Sequence, residues 1–99
     1  MKLLTKELAQ QIPALYAQEQ VKDPLVYVKF FAPWSNWTWY ATEFDGEDIF
    51  FGLVCGFEKE LGYFSLAELA SVQGKVGLSI ERDLGFKPTL LSKIMSRPL

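Results

Sequence analysis

The side chains best equipped for chemistry in this chain are carboxylates, and they crowd one stretch. Residues 36–52, NWTWYATEFDGEDIFFG, set Glu43, Asp45, Glu47 and Asp48 among aromatic and β-branched neighbours. Four acids so close together suit a hard cation such as Mg²⁺ or Ca²⁺, which takes oxygen ligands, but their spacing is not that of an EF-hand loop. A charged hairpin tip on a soluble protein gives the same pattern, and no metal site is assigned. Glu81 and Asp83 form a second pair, on one face of an extended segment, with Arg82 pointing the other way. Acid–base work would need such a pair, yet ordinary salt bridging accounts for it equally well.

The missing residue types exclude more than the present ones imply. The chain has no histidine and one cysteine, Cys55. Histidine-dependent nucleophile systems, histidine general bases and His/Cys zinc sites are therefore excluded. Neither GxGxxG nor GxxxxGK[ST] occurs, so no glycine-rich phosphate cradle is present. No catalytic residue and no cofactor is assigned, and the sequence points away from an enzyme.

With 99 residues, 49% hydrophobic and 15% aromatic, the chain suits a single globular domain over residues 1–99. No apolar run approaches the roughly 20 residues that span a bilayer, and the opening MKLLTKE lacks the apolar stretch of a signal peptide. A lone cysteine suits a reducing compartment, so a cytoplasmic protein without membrane attachment is expected. Net charge is −2, unevenly spread. Six carboxylates face one cation between Glu43 and Glu60, whereas five cations face Glu81 and Asp83 between Lys75 and Arg97. Neither run is the dense basic face of a DNA-backbone binder.

The elements that must position these residues follow from periodicity. Leu4, Leu8, Ile12 and Leu15 form one helical stripe, capped by Thr5 and stopped at Ile12 by Pro13. A polar linker, 18–23, leads to a β-branched and aromatic strand over 25–32. Trp37–Phe44 and Ile49–Phe57 read as the next two strands, with Asp45-Gly46 as a hairpin signal. Ser65-Leu66-Ala67-Glu68 matches a capping box opening a short helix, with Gly74 as its left-handed stop. Leu78–Phe86 is a candidate fourth strand, and Pro88 and Pro98 frame a last amphipathic segment, Leu90 to Met95. The expected fold is α+β: a small antiparallel sheet of three to four strands, an N-terminal helix and one or two short helices in the C-terminal half.

A four-residue loop, 33–36, pairs Ala32 with Trp37. It collects Val26, Val28, Phe30, Trp37, Trp39 and Ala41 on a core-like face, which the first helix and the Ser65 helix are expected to cover. The opposite face mixes rings with a cation: Tyr27, Lys29, Phe31 and Tyr40. It is either covered by the C-terminal segment or open to a partner. A three-residue loop at the second hairpin avoids setting Glu43 opposite Asp48. It places Ile49, Phe51, Leu53 and Cys55 on the tryptophan face, making Cys55 an inert small hydrophobe.

Three segments, SNWTWYATEFDGEDIFFG (35–52), ELGYFSLAELASVQG (60–74) and GLSIERDLGFKP (77–88), together with the opening MKLLTKEL resemble a bacterial domain-of-unknown-function family, number 2958. Its members look like passengers of plasmids and integrative elements. The resemblance implies a setting, an accessory role in a mobile element that includes interference with host defence, and no reaction. It directs attention to Trp37, Tyr40, Glu43, Asp45, Tyr63, Arg82 and Asp83. The reading taken from the sequence is a non-enzymatic module that binds another protein through Tyr27, Lys29, Phe31, Tyr40, Glu43, Asp45, Tyr63, Arg82 and Asp83. The alternatives are a carboxylate- or metal-dependent hydrolase using Glu43, Asp45, Glu81 and Asp83, and single-stranded nucleic acid stacking on the open rings. Nucleic acid is the less favoured partner, because Lys29 is the only cation on that face.

Overall fold

A computed structural model describes residues 2–97, with Lys75 described by its backbone alone. Helix α1, Lys6–Gln11, starts where Thr5 accepts the Leu8 N–H and stops at Ile12, whose extended backbone precedes Pro13. The strands follow: β1 (Leu25–Val26), β2 (Val28–Phe31), β3 (Thr38–Phe44), β4 (Ile49–Cys55) and β5 (Lys59–Ser65). Helix α2 (Leu66–Ser71), a 3₁₀ turn (Lys75–Gly77), β6 (Glu81–Arg82), β7 (Thr89–Leu90) and helix α3 (Leu91–Met95) complete the order.

The main sheet is antiparallel, five-stranded and ordered β5-β4-β3-β2-β6, and β1 and β7 pair in a separate two-stranded ribbon. The α+β class is as expected, but three to four strands is too few. The expectation lacked β5, whose Lys-Glu-Leu-Gly start carries little β propensity. The strand expected over 78–86 shrinks to β6, on the far side of β2. Pro98 lies outside the described residues.

The β2–β3 register is the one the four-residue loop dictates: Val28 faces Ala41, Lys29 faces Tyr40, and Phe30 faces Trp39. The β3–β4 register is not the expected one. Trp39 faces Val54 and Tyr40 faces Leu53, and a bulge at Thr42 shifts the pairing so that Glu43 faces Phe51 and Phe44 faces Phe50. Two causes act together. The Asp45 carboxylate accepts the N–H groups of Glu47, Asp48 and Ile49 and so holds a longer loop, with Gly46 at φ +90°. The shift also buries Phe50 between Phe44 and Phe64, with ring centroids at 4.4 and 5.2 Å. Phe51, Leu53 and Cys55 therefore lie on the tyrosine side of the sheet.

Two cores result, one on each side. The first joins Leu3, Leu4, Ile12, Phe30, Phe50 and Leu69, under α1 and α2 as expected. The second joins Val26, Tyr40, Leu53 and Cys55 to Leu91 and Ile94 of α3, so the C-terminal segment covers this part of the tyrosine side. Val26 reaches it because the first strand breaks at Tyr27, which turns to the first core. Trp37 and Trp39, expected inside, are respectively 36% exposed and half-buried, and the Trp37 indole rests on Gly56 and on the almost fully exposed Phe57 ring.

Long-range caps fix both later helices. Ser65 accepts the Glu68 N–H, as the capping box requires, and donates its hydroxyl to Asp48, whose other carboxylate oxygen accepts the Ala67 N–H. Asp23 takes the N–H and hydroxyl of Ser92 at the start of α3, bonds that hold its carboxyl below the usual range. Gly74 is not a left-handed cap: α2 ends at Ser71 with Val72 extended, and Gly74 instead makes room for the Trp34 ring.

Candidate binding groove

Four of the carboxylates that open the sequence argument, Glu43, Asp45, Asp48 and Asp83, are engaged within the fold, each in a different place. Asp45 holds the hairpin loop, and its three backbone donors lower its pKa. Asp48 caps α2. Asp83 lies 3.7 Å from the Lys29 ammonium and accepts the Gly85 N–H. Arg82 donates to the carbonyls of Lys2 and Leu3, tying the N-terminal segment to the sheet edge. Among the described residues, no three His, Cys, Asp or Glu side chains are disposed around a common cation position. Glu43, Asp45, Glu81 and Asp83 do not converge.

Nor does the expected Tyr27/Lys29/Phe31/Tyr40 surface form. Tyr27 belongs to the first core. Tyr40 is 8% exposed beneath Phe86 and α3, and burial together with the nearby Cys55 raises its phenol pKa despite a bond to Arg97. Lys29, whose ammonium is 5.9 Å from the Tyr40 ring centroid, and Phe31 remain together with Arg82 and Asp83 as one shallow dish beside β6. Burial likewise raises the Cys55 thiol pKa, which leaves it an unreactive hydrophobe on the opposite side from the one expected.

Glu43 and Tyr63, two more of the expected residues, meet in a second and more enclosed concavity. The bulge at Thr42 sends Glu43 to the tyrosine side, in a row with Phe51 and Tyr63 across β3, β4 and β5. Glu43 is 5% exposed, and one oxygen accepts the Tyr16 N–H at 2.9 Å while the other accepts the Gln18 N–H at 2.8 Å. These two bonds support Tyr16 in the left-handed region at φ +71°, a costly conformation for an aromatic residue. Gln18 adds a second tie: its amide donates to the carbonyls of Leu25 and Thr42 and accepts the Leu25 N–H. The linker at 18–23 is thus the wall of a site.

The groove between that wall and β5 has a volume of about 370 Å³. Tyr16, Leu61 and Tyr63 are each more than half exposed around it, Phe51 lies on its floor, and Glu19 and Lys22 stand at its rim. The Tyr63 ring meets Phe51 edge-on at 5.0 Å. A hydrogen bond to Tyr16, followed by desolvation and the negative charges of Glu43 and Glu19, raises the Tyr63 phenol pKa. Sequence reasoning missed Tyr16, Gln18, Glu19 and Leu61. A bulge and a left-handed tyrosine assemble the site, and neither has a glycine to announce it.

No curated protein and no solved structure matches this chain. Residues 3–96 match the family model described as Protein of unknown function (DUF2958), and the chain belongs to that family.

Proposed function

We propose that this protein is a non-enzymatic, cytoplasmic protein-interaction module whose contact surface is the Tyr16–Glu43–Tyr63 groove. One observation carries the reading: Tyr16, Leu61 and Tyr63 are 62%, 52% and 56% exposed around a carboxylate fixed from beneath. Exposed tyrosines on a braced backbone supply contact area at low entropic cost, and they are enriched where proteins meet. The hydrolase alternative has less support because its four acids are separated and mostly engaged by backbone donors. Nucleic acid has less support because the groove carries Glu19 and Glu43 against Lys22 alone. The resemblance to plasmid-borne passengers extends the proposal to an accessory protein of a bacterial mobile element, with host-defence proteins as the first class of partner. Co-purification from a bacterial host, comparing wild type with a Tyr16→Ala/Tyr63→Ala double variant, tests it. A partner retained by wild type and lost by the variant is expected; identical recoveries, or no specific partner, count against the reading.

A further inference from the structure

Strand β5 is one border of the main sheet, and its unpaired side can be identified. Asp45 donates its N–H to the Ile49 carbonyl, so Ile49 directs its backbone toward β3. Alternation then turns Phe50, Gly52 and Val54 toward β5, where they face Phe64, Gly62 and Glu60. The N–H and C=O groups of Leu61 and Tyr63 consequently point away from the sheet, and no backbone partner meets them among the described residues. Their side chains stand on the groove side, opposite Leu53 and Phe51. Gly62, between them, has nothing within 4 Å of where a Cβ would sit.

Charge distinguishes this border from an ordinary protected edge. Edge strands are usually blunted by outward lysines. Here the Lys59 ammonium is bonded to the carbonyls of Met95 and Arg97 at the end of α3. The charges left along the strand and groove are Glu58, Glu60, Glu19 and Glu43 against Lys22.

Resting on the interaction-module reading, we infer that the occupant of this site is an extended, basic segment of a partner protein. It adds as a sixth strand beside β5 and lays an Arg or Lys side chain across Tyr63 toward Glu19. Such a strand lies about 4.8 Å beyond β5, bonded to the outward groups of Leu61 and Tyr63. Its groove-side residues come up beside the two exposed side chains, where a cation meets the face of a tyrosine ring and the rim carboxylate. Main-chain bonds supply sequence-independent attachment, and the acidic groove supplies the choice of a basic residue.

The probe is a blocked five-residue peptide alternating threonine and valine around a central arginine, titrated into the isotope-labelled full chain. Its counterpart carries glutamate at the centre. The arginine peptide is expected to bind in the millimolar range, to shift and protect the Leu61 and Tyr63 amides, and to bind roughly tenfold more tightly than the glutamate peptide. Glu19→Gln, at a rim position, is expected to weaken the arginine peptide severalfold and leave the glutamate peptide unweakened. Equal binding of the two peptides, shifts that spare Leu61 and Tyr63, or no binding up to about 5 mM would overturn the inference. A partner captured through the groove and undisturbed by excess arginine peptide also overturns it while the interaction-module reading stands. Failure to capture any partner counts against that reading separately.

Discussion

Asp45 illustrates how residue chemistry and residue purpose diverge. As one acid among four it resembles a cation ligand, yet its carboxylate is engaged by three consecutive backbone donors of its own loop. Those bonds favour the charged form, so its folded pKa lies below the ordinary 3.8. A carboxylate depressed on folding contributes stability that is complete above the unfolded value and is lost as pH falls through the folded one. Asp45→Ala should therefore lower the urea midpoint clearly at pH 6 and much less near pH 2. Parallel unfolding curves for wild type and variant at the two pH values check this, and an equal offset at both would contradict it. The same residue accounts for the departure of the second hairpin from its expected register. Its Asp-Gly pair is a sound turn signal, but which backbone groups an aspartate will hold is a three-dimensional matter.

Among the elements, the sheet was legible where short-range rules decide it and illegible where they do not. The four-residue loop sets the β2–β3 register correctly, and both expected N-caps, Thr5 and Ser65, are present. The bulge at Thr42 leaves no trace in composition, and it alone reverses which aromatic residues lie together. Gly52 and Gly62, paired with each other across β4 and β5, make a sharp test of this arrangement. A Cβ on Gly52 would sit 1.8 Å from the Tyr40 carbonyl oxygen, whereas one on Gly62 meets nothing. Gly52→Ala should cost about 3 kcal/mol or more, or prevent folding. Gly62→Ala should stay within about 0.5 kcal/mol by chemical denaturation. Comparable losses at both would contradict the close approach of the Tyr40 carbonyl to Gly52 across β3 and β4.

At the scale of the whole molecule, one sheet divides two cores closed from opposite ends of the chain. The N-terminal segment and α2 cover one side, and α3 covers the other. The closure by α3 was open in the sequence, because amphipathic spacing over 90–95 does not say which surface it meets. Ile94 is 2% exposed in the second core, so Ile94→Ala should cost about 2–5 kcal/mol. It should also expose Tyr40 and Cys55, read as faster thiol modification than in wild type; an unchanged rate would mean α3 does not seal that side. The candidate site inherits this build. Glu43 and Gln18 rivet three separate stretches, 16–18, Leu25 and β3, into one wall before any ligand arrives. A guest entering beside that wall finds its host already frozen in shape, so nearly all the disorder surrendered on docking is the guest's own.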